Sequence, residues 1–498
     1  MRTRLLLATA SLAALGVATA AASAGVGPLS LRALDGYAAA HGLAPAATVV
    51  PGPALRGATP RAACSPGDRP ETGRQGRVPL ADFDSGRAAL GYTCNTRQVG
   101  HFGETGGFQV HRYVDRTGRE CAFYDSTLLF PKDVRKGVHG MTVLDMSIPS
   151  RPVRTAVLST FAMQTTHESL RLNHERGLLV ANAGSPATQV GVVDVYDVSQ
   201  DCRFPVLKST SPLGILGHEG GFSPDGRTYW VTTTSQPGVT AIDLTDPTQP
   251  KIVWRSTEYT VHGLSFSADG NRAYLADTGS RGEPSGLRIL DVSQVQRRVP
   301  DPVVKDVSAL TWPEVSIPQN VLPVTIQGRK HLIEFDEYDS NPLSYSPDST
   351  VGAVRIIDIS NESRPRVVSR IRLEVHERAA RQSDQQADPQ ATFGVQGYAA
   401  HYCSVPREVE PGILACSMIL SGLRLFDVRD PAKPREVAYF NQPNTDNPVP
   451  LERGGYAMSA PAFAPERGEV WYSDGNSGFF NVKVSPKAWT PSGRYPQR

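Results

Sequence analysis

The sequence predicts an all-β fold: a seven-bladed β-propeller closed by an N-terminal strand and preceded by a signal peptide and an irregular arm. Three observations predict it. One strand–turn–strand unit recurs along the chain, Asp-Gly hairpins stand just before some copies, and a segment near the N-terminus looks like the missing last strand of the final copy.

The recurring unit is an apolar strand ending in an acidic residue, then a Pro-rich turn, then a second strand. Copies begin at Gly140 (GMTVLDMSIPSRPVRTAVLST), Val193, Gly238 (GVTAIDLTDPTQPKIVWRST), Gly286, Ala353 and Gly422 (GLRLFDVRDPAKPREVAYFN), with a degenerate seventh, GFFNVKVSPKAW, at Gly478. The aspartates fall at 145, 197, 243, 291, 358 and 427, at intervals of 52, 46, 48, 67 and 69. Repeats of this length with several strands each are the signature of propeller blades. HEGGFSPDG from His218 and HGLSFSADG from His262 read as strand, Ser-x-Asp-Gly turn, strand, and Asp-Gly is a strong hairpin signal. Each repeat then has four strands, A to D from the centre outward. The last copy lacks a convincing fourth strand. Asn95–Phe102 resembles the fourth strand Lys433–Phe440 and is expected to supply it, so closing the ring and removing open sheet edges.

Before the repeats, Arg2 and Arg4, the apolar run Leu5–Ala20 and the Ala22-Ser23-Ala24 site read as a signal peptide over residues 1–24. No later run has the ~18–20 apolar residues of a membrane span. A secreted or cell-envelope location is expected, with no transmembrane span after cleavage. Residues 25–93, rich in Pro, Gly and Arg, are expected to form an irregular arm, 94–486 the propeller and 487–498 a tail. The net charge of +2 and the lack of a basic run point away from nucleic acid. A monomer is expected. Six cysteines in an exported chain suggest disulfides. Cys403 and Cys416 flank one hairpin turn and are expected to pair. The pairing of Cys64, Cys94, Cys121 and Cys202 stays open, although a bridge from Cys94 would lock the seam of the ring.

Aligning the blades on the A–B hairpin brings seven positions into register: Glu104, His167, His218, His262, Asn320, His401 and Ser459. Each starts an innermost strand, so they are expected to face one another round the axis. Nothing in folding requires His at four of them, and imidazole with carboxylate suits Cu, Fe or Zn. His167, His218, His262, His401 and Glu104 are the candidate ligands, Asn320 and Ser459 pocket residues, and Glu168 and Glu219 outer partners that orient the rings. Alternation along a strand is expected to keep His167 and Glu168 from sharing one metal. The competing reading is that these histidines bond across blades and only fix packing. His101, His111, His139, His174, His331 and His376 have no counterparts and read as surface or strand residues.

The repeats resemble the LVIVD-repeat proteins, exported bacterial propellers, which implies the fold and an envelope setting but no reaction. The pattern H-x-x-x-F-S-x-D-G at His218 and His262 is similar to the selenium-binding protein and methanethiol oxidase propellers. That resemblance implies a metal-dependent oxidase with ligands at His167, His218, His262 and His401. The other His-rich and Cys motifs of that family are missing here.

Two long connections, from Glu334 to Val351 and from His376 to Ala400, are expected to overhang the axial mouth as lids or disordered loops, with Asp336, Glu337 and Asp339 adding negative charge. No G-x-S-x-G or H-E-x-x-H motif is present, so no catalytic residue is assigned. Three functions stay open: binding of a ligand or cell-surface partner at the axial face, with or without a metal; a metal-dependent oxidoreductase; or an envelope scaffold.

Overall fold

The computed structural model describes residues 57–126, 140–183, 191–214, 217–234, 236–312, 317–337, 353–377, 379–380, 397–447 and 452–493. The strands form seven separate antiparallel sheets, the blades of a propeller. Blade 1 spans Val110 to Leu158, blade 2 Arg171 to Ser211, blade 3 Glu219 to Ser256, blade 4 Val261 to Thr311, blade 5 Pro318 to Ile371 and blade 6 Cys403 to Asn441. Blade 7 takes Ala462–Ala464, Glu469–Asp474 and Gly478–Val484 from the C-terminal end.

The recurring aspartates end the third strand of blades 1 to 6: Met141–Asp145, Val193–Asp197, Val239–Asp243, Gly286–Asp291, Val354–Asp358 and Gly422–Asp427. Their role is local. In every case Oδ1 accepts the backbone N–H two residues on, at 2.8–3.1 Å, from Ser147, Ser199, Thr245, Ser293, Ser360 and Arg429. This is the turn that Asp makes by mimicking a backbone carbonyl. It starts the reversal into strand D, which then pairs through a register shift in all six blades.

Neighbouring sheets meet face to face. Leu178, Val180, Val193 and Val195 of blade 2 pack on Tyr229, Val231, Ile242 and Leu244 of blade 3. Trp471 and Phe479 of blade 7 pack on Val110, Ala122 and Leu144 of blade 1. Each such buried side chain contributes about 1.5–3 kcal/mol. Alternate residues face the two neighbours, so the middle strands are buried on both sides.

The expected closure is corrected here. No sheet is closed by hydrogen bonds, and each blade remains an open sheet with two edges. Thr96–Phe102 pairs antiparallel with Gly478–Val484, but it is the outer edge strand of blade 7 and removes no edge. Blades present faces to one another, so the first and last are joined by side-chain packing together with a backbone bond from the Ala460 N–H to the Phe108 carbonyl at 2.9 Å. The expected signal peptide and His41 lie outside the described residues.

The arm is more regular than its composition suggests. From residue 57 it contains the helix Leu80–Asp84 and the strand Tyr92–Cys94, a fifth strand on blade 6. Disulfides join Cys64 to Cys94, Cys121 to Cys202 and Cys403 to Cys416. The third joins direct cross-strand partners, and the second ties blade 1 to blade 2.

Candidate metal centre

Each functional side chain is delivered by the start of an inner strand or the end of the strand beside it. His218 immediately precedes Glu219–Phe222, and its N–H bonds the Thr232 carbonyl at 2.7 Å. His262 is the second residue of Val261–Phe266. His401 precedes Cys403–Ser404, with its N–H on the Ser417 carbonyl at 2.9 Å. His167 and Glu168 precede Arg171–Asn173. Glu337 immediately follows Arg329–Asp336 of blade 5.

These residues come from five blades and converge. His167 Nε2 lies 3.2 Å from His218 Nε2. Glu168 Oε2 lies 3.1 Å from His218 Nε2 and 2.9 Å from His262 Nε2, while its Oε1 lies 3.1 Å from His401 Nε2. Glu337 approaches His262 and His401, each to 3.7 Å. The other ring nitrogens are turned outward onto protein oxygens. His262 Nδ1 meets the Pro318 carbonyl at 3.1 Å, His401 Nδ1 the Met458 carbonyl at 2.5 Å and His218 Nδ1 the Thr234 hydroxyl at 3.3 Å. Locking Nδ1 in this way presents Nε2 as the free ligand atom.

The spacings fit a coordination shell. Metal–ligand bonds of about 2.0–2.2 Å at right or tetrahedral angles place neighbouring ligand atoms roughly 3.0–3.5 Å apart. His401 Nε2 is buried and lies 3.1 Å from Glu168 Oε1. Two groups capable of holding a metal result, His167–Glu168–His218 and Glu168–Glu337–His401. A third, Cys64–Asp68–Cys94, has its sulfurs joined in a disulfide and offers no thiolate.

The electrostatics are those of a dry, strongly interacting cluster. Burial opposes ionisation of Glu168, but His262 and His218 outweigh it and hold that carboxyl well below its usual range. Burial likewise opposes protonation of His262 and His401, and the carboxylates overcome it: Glu168 lifts His262 to about 9, and Glu168 with Glu337 lifts His401 to about 10. His167 goes the other way, well below normal, through burial and the neighbouring His218. His218 alone has marked exposure, 22% of its side chain.

The structure revises several expected roles. His167 and Glu168 point into the same centre despite being sequence neighbours. His167 has φ +47°, in the left-handed region, which breaks the alternation of an extended strand. Glu168 therefore stands among the ligand atoms rather than behind a ring. Glu219 does stand behind. It pairs with Arg171 and accepts from Asn320 Nδ2, and burial raises its carboxyl to about 8 against the pull of Arg171. Gly263 makes room for it, since a Cβ there would sit 2.1 Å from Glu219 Oε2.

Asn320 is thus bound to Glu219, and Ser459 accepts the Ser473 N–H at 2.7 Å. Glu104 is exposed and belongs to neither histidine–carboxylate group. The alignment that chose it matched Phe108 to Phe222. Phe222 ends its strand beside the turn, whereas Phe108 precedes Val110–Val114. Phe108 itself adjoins the cluster, its ring 4.8 Å from His167 and 5.3 Å from His401.

Of the two acidic residues expected beside Glu337, Asp336 instead bonds Arg355 at 2.7 Å, and Asp339 lies outside the described residues with most of both long connections. His331 is a buried residue of the strand Arg329–Asp336, as expected of a strand residue, whereas His376 is buried in the short helix Glu374–His376. Glu337 had a signal, the acidic run at the end of a B strand; Arg171 and Phe108 had none.

Fold and cluster together define the class: a seven-bladed β-propeller with a histidine–carboxylate cluster where its inner strands meet. No protein-family model matches the chain, the LVIVD-repeat family included, and no curated protein matches it. Solved propeller structures do. Kuenenia stuttgartiensis hydrazine synthase is 12% identical over 78% of this chain and 97% of that chain, with a TM-score of 0.51. The periplasmic gluconolactonase PpgL of Pseudomonas aeruginosa is 16% identical over 72% and 96%, with a TM-score of 0.46. The Cps50 (Swd1) propeller domain of Myceliophteria thermophila is 12% identical over 78% and 98%, with a TM-score of 0.45. At these identities the likeness shows the fold and nothing of activity. No helix among the described residues is long and apolar enough to cross a membrane.

Proposed function

We propose that this chain is an exported metalloprotein that binds Cu, Fe or Zn among His167, His218, His262, His401 and Glu168, and that a small ligand reaches the metal past His218. The observation that carries the reading is the convergence of three Nε2 atoms on one buried carboxylate, with a fourth, on His167, 3.2 Å from one of them, and three of the rings held by Nδ1 contacts to protein oxygens. In the metal-free cluster protonated His262 and His401 balance Glu168 and Glu337, and a metal ion would take the place of those protons. A purely structural site has no need of such a cluster, since apolar residues of similar volume would pack as well. Three disulfides support export to an oxidising compartment.

The enzymatic form of this proposal is a metal-dependent oxidoreductase. Its support is that imidazole-rich sets suit redox metals and that one ligand, His218, stays reachable. Elemental analysis of protein purified without a histidine tag tests the reading. Stoichiometric Cu, Fe or Zn, lost in His218→Ala and His262→Ala, is expected. Metal-free protein that takes up none of the three on incubation overturns it.

A further inference from the structure

Resting on that metal reading, we infer that the centre is dinuclear, with Glu168 and Glu337 each bridging two metal ions. A carboxylate that bridges two ions turns each oxygen to a separate set of ligands. Here the oxygens divide. On Glu168, Oε2 faces His262 at 2.9 Å and His218 at 3.1 Å, while Oε1 faces His401 at 3.1 Å. Glu337 repeats the division, with Oε2 3.7 Å from His262 and Oε1 3.7 Å from His401. Two acidic side chains, from blades 2 and 5, thus span the same pair of imidazoles, with like-placed oxygens on the same side.

Ions in two-metal sites stand about 3.5–4 Å apart, a span that carboxylates bridge. The first position has His167, His218, His262 and the two Oε2 atoms. Among the described residues the second has His401 and the two Oε1 atoms, fewer ligands than a closed site takes. The two groups of metal-capable residues share Glu168 and otherwise differ, as a bridged pair requires. Glu219 is paired with Arg171, so Glu168 and Glu337 are the carboxylates turned to the imidazoles.

The test is a titration of the chelator-stripped full chain with Co(II), reading bound cobalt after desalting together with the visible ligand-field absorption. Two Co(II) per chain are expected, with spectroscopically distinct uptake of the first and second. Glu337→Gln and His401→Ala are expected to retain one, with the fold checked by circular dichroism. Saturation of the wild-type chain at one Co(II), or two retained by Glu337→Gln, overturns the dinuclear assignment and leaves the metal reading standing. No bound Co(II) overturns both, and because that measurement uses the unmutated chain it does not depend on any variant folding.

Discussion

Two buried acidic clusters in this propeller differ in one respect that separates structure from chemistry. Where the arm meets blade 6, Glu71 and Glu436 flank Arg424, which bonds Glu436 at 2.9 Å, pairs with Glu71 and lies 4.5 Å over the Tyr439 ring. Gln75 of the arm adds a 2.9 Å bond to Glu436. Blade 5 repeats the scheme, with Arg355 bonding Glu334 at 2.8 Å and Asp336 at 2.7 Å. At the centre, Glu168 and Glu337 face imidazoles instead, and among the described residues the balancing charge is carried by exchangeable protons on His262 and His401 rather than by a guanidinium. Where folding alone is served, the chain encodes its own guanidinium. Where it does not, the cluster is left competent for a cation from outside.

The comparison breaks most readily at Arg424. Arg424→Met leaves two buried carboxylates without their partner and is expected to lower unfolding stability by about 3–5 kcal/mol in denaturant titration, with metal content per folded chain unchanged. A cost below about 1 kcal/mol would make this cluster no more structural than the other.

Beside it, His376 sharpens the contrast through pH. Burial, helped by Arg372 and Arg424, lowers this imidazole to about 3, and its Nδ1 accepts the Leu373 N–H at 3.1 Å. Below its usual value near 6.5 the unfolded chain takes a proton that the folded chain refuses. Stability is therefore full above about pH 6.5 and falls as pH drops toward 3. The loss between pH 6.5 and 5 is roughly 1.5–2 kcal/mol by linkage. The difference in stability between wild type and His376→Gln, measured across that range, should carry this slope; a pH-independent difference would remove His376 from the account.

Glu168→Gln should separate the two clusters by metal rather than by stability. It removes the carboxylate that holds His262 and His401 protonated, so metal retention on desalting is expected to fall at least ~10-fold, against no change in Arg424→Met. Equal metal retention in the two variants would erase the distinction. Smallest of all, Glu104→Ala is expected to leave metal content unaltered and stability within about 0.5 kcal/mol, as for exposed positions elsewhere. Loss of metal in that variant would restore Glu104 to the ligand set.

Much of the fold was legible because its cause is local. An aspartate that accepts the N–H two residues on marks the end of a strand wherever it recurs, and six of them, with the degenerate copy at Gly478, counted the blades. The histidine positions were legible for the same reason, as each stands at a repeated distance from its turn. The site was legible only in part. His218, His262, His401 and His167 were found by spacing, but the participation of Glu168 followed from a left-handed backbone at His167 that spacing does not reveal. Glu104 was chosen by matching one aromatic residue to another, but Phe222 ends its strand whereas Phe108 stands before the strand Val110–Val114 begins.

By itself, then, the order of residues determined the number of blades, the turns between strands and the places where imidazoles occur, because each depends on contacts a few residues long. Tertiary structure alone decided which side chains meet at the centre, which carboxylates are compensated and how the outermost blades are joined. Those outcomes depend on backbone torsions and on the approach of segments as far apart as Glu168 and His401, and no short pattern records either.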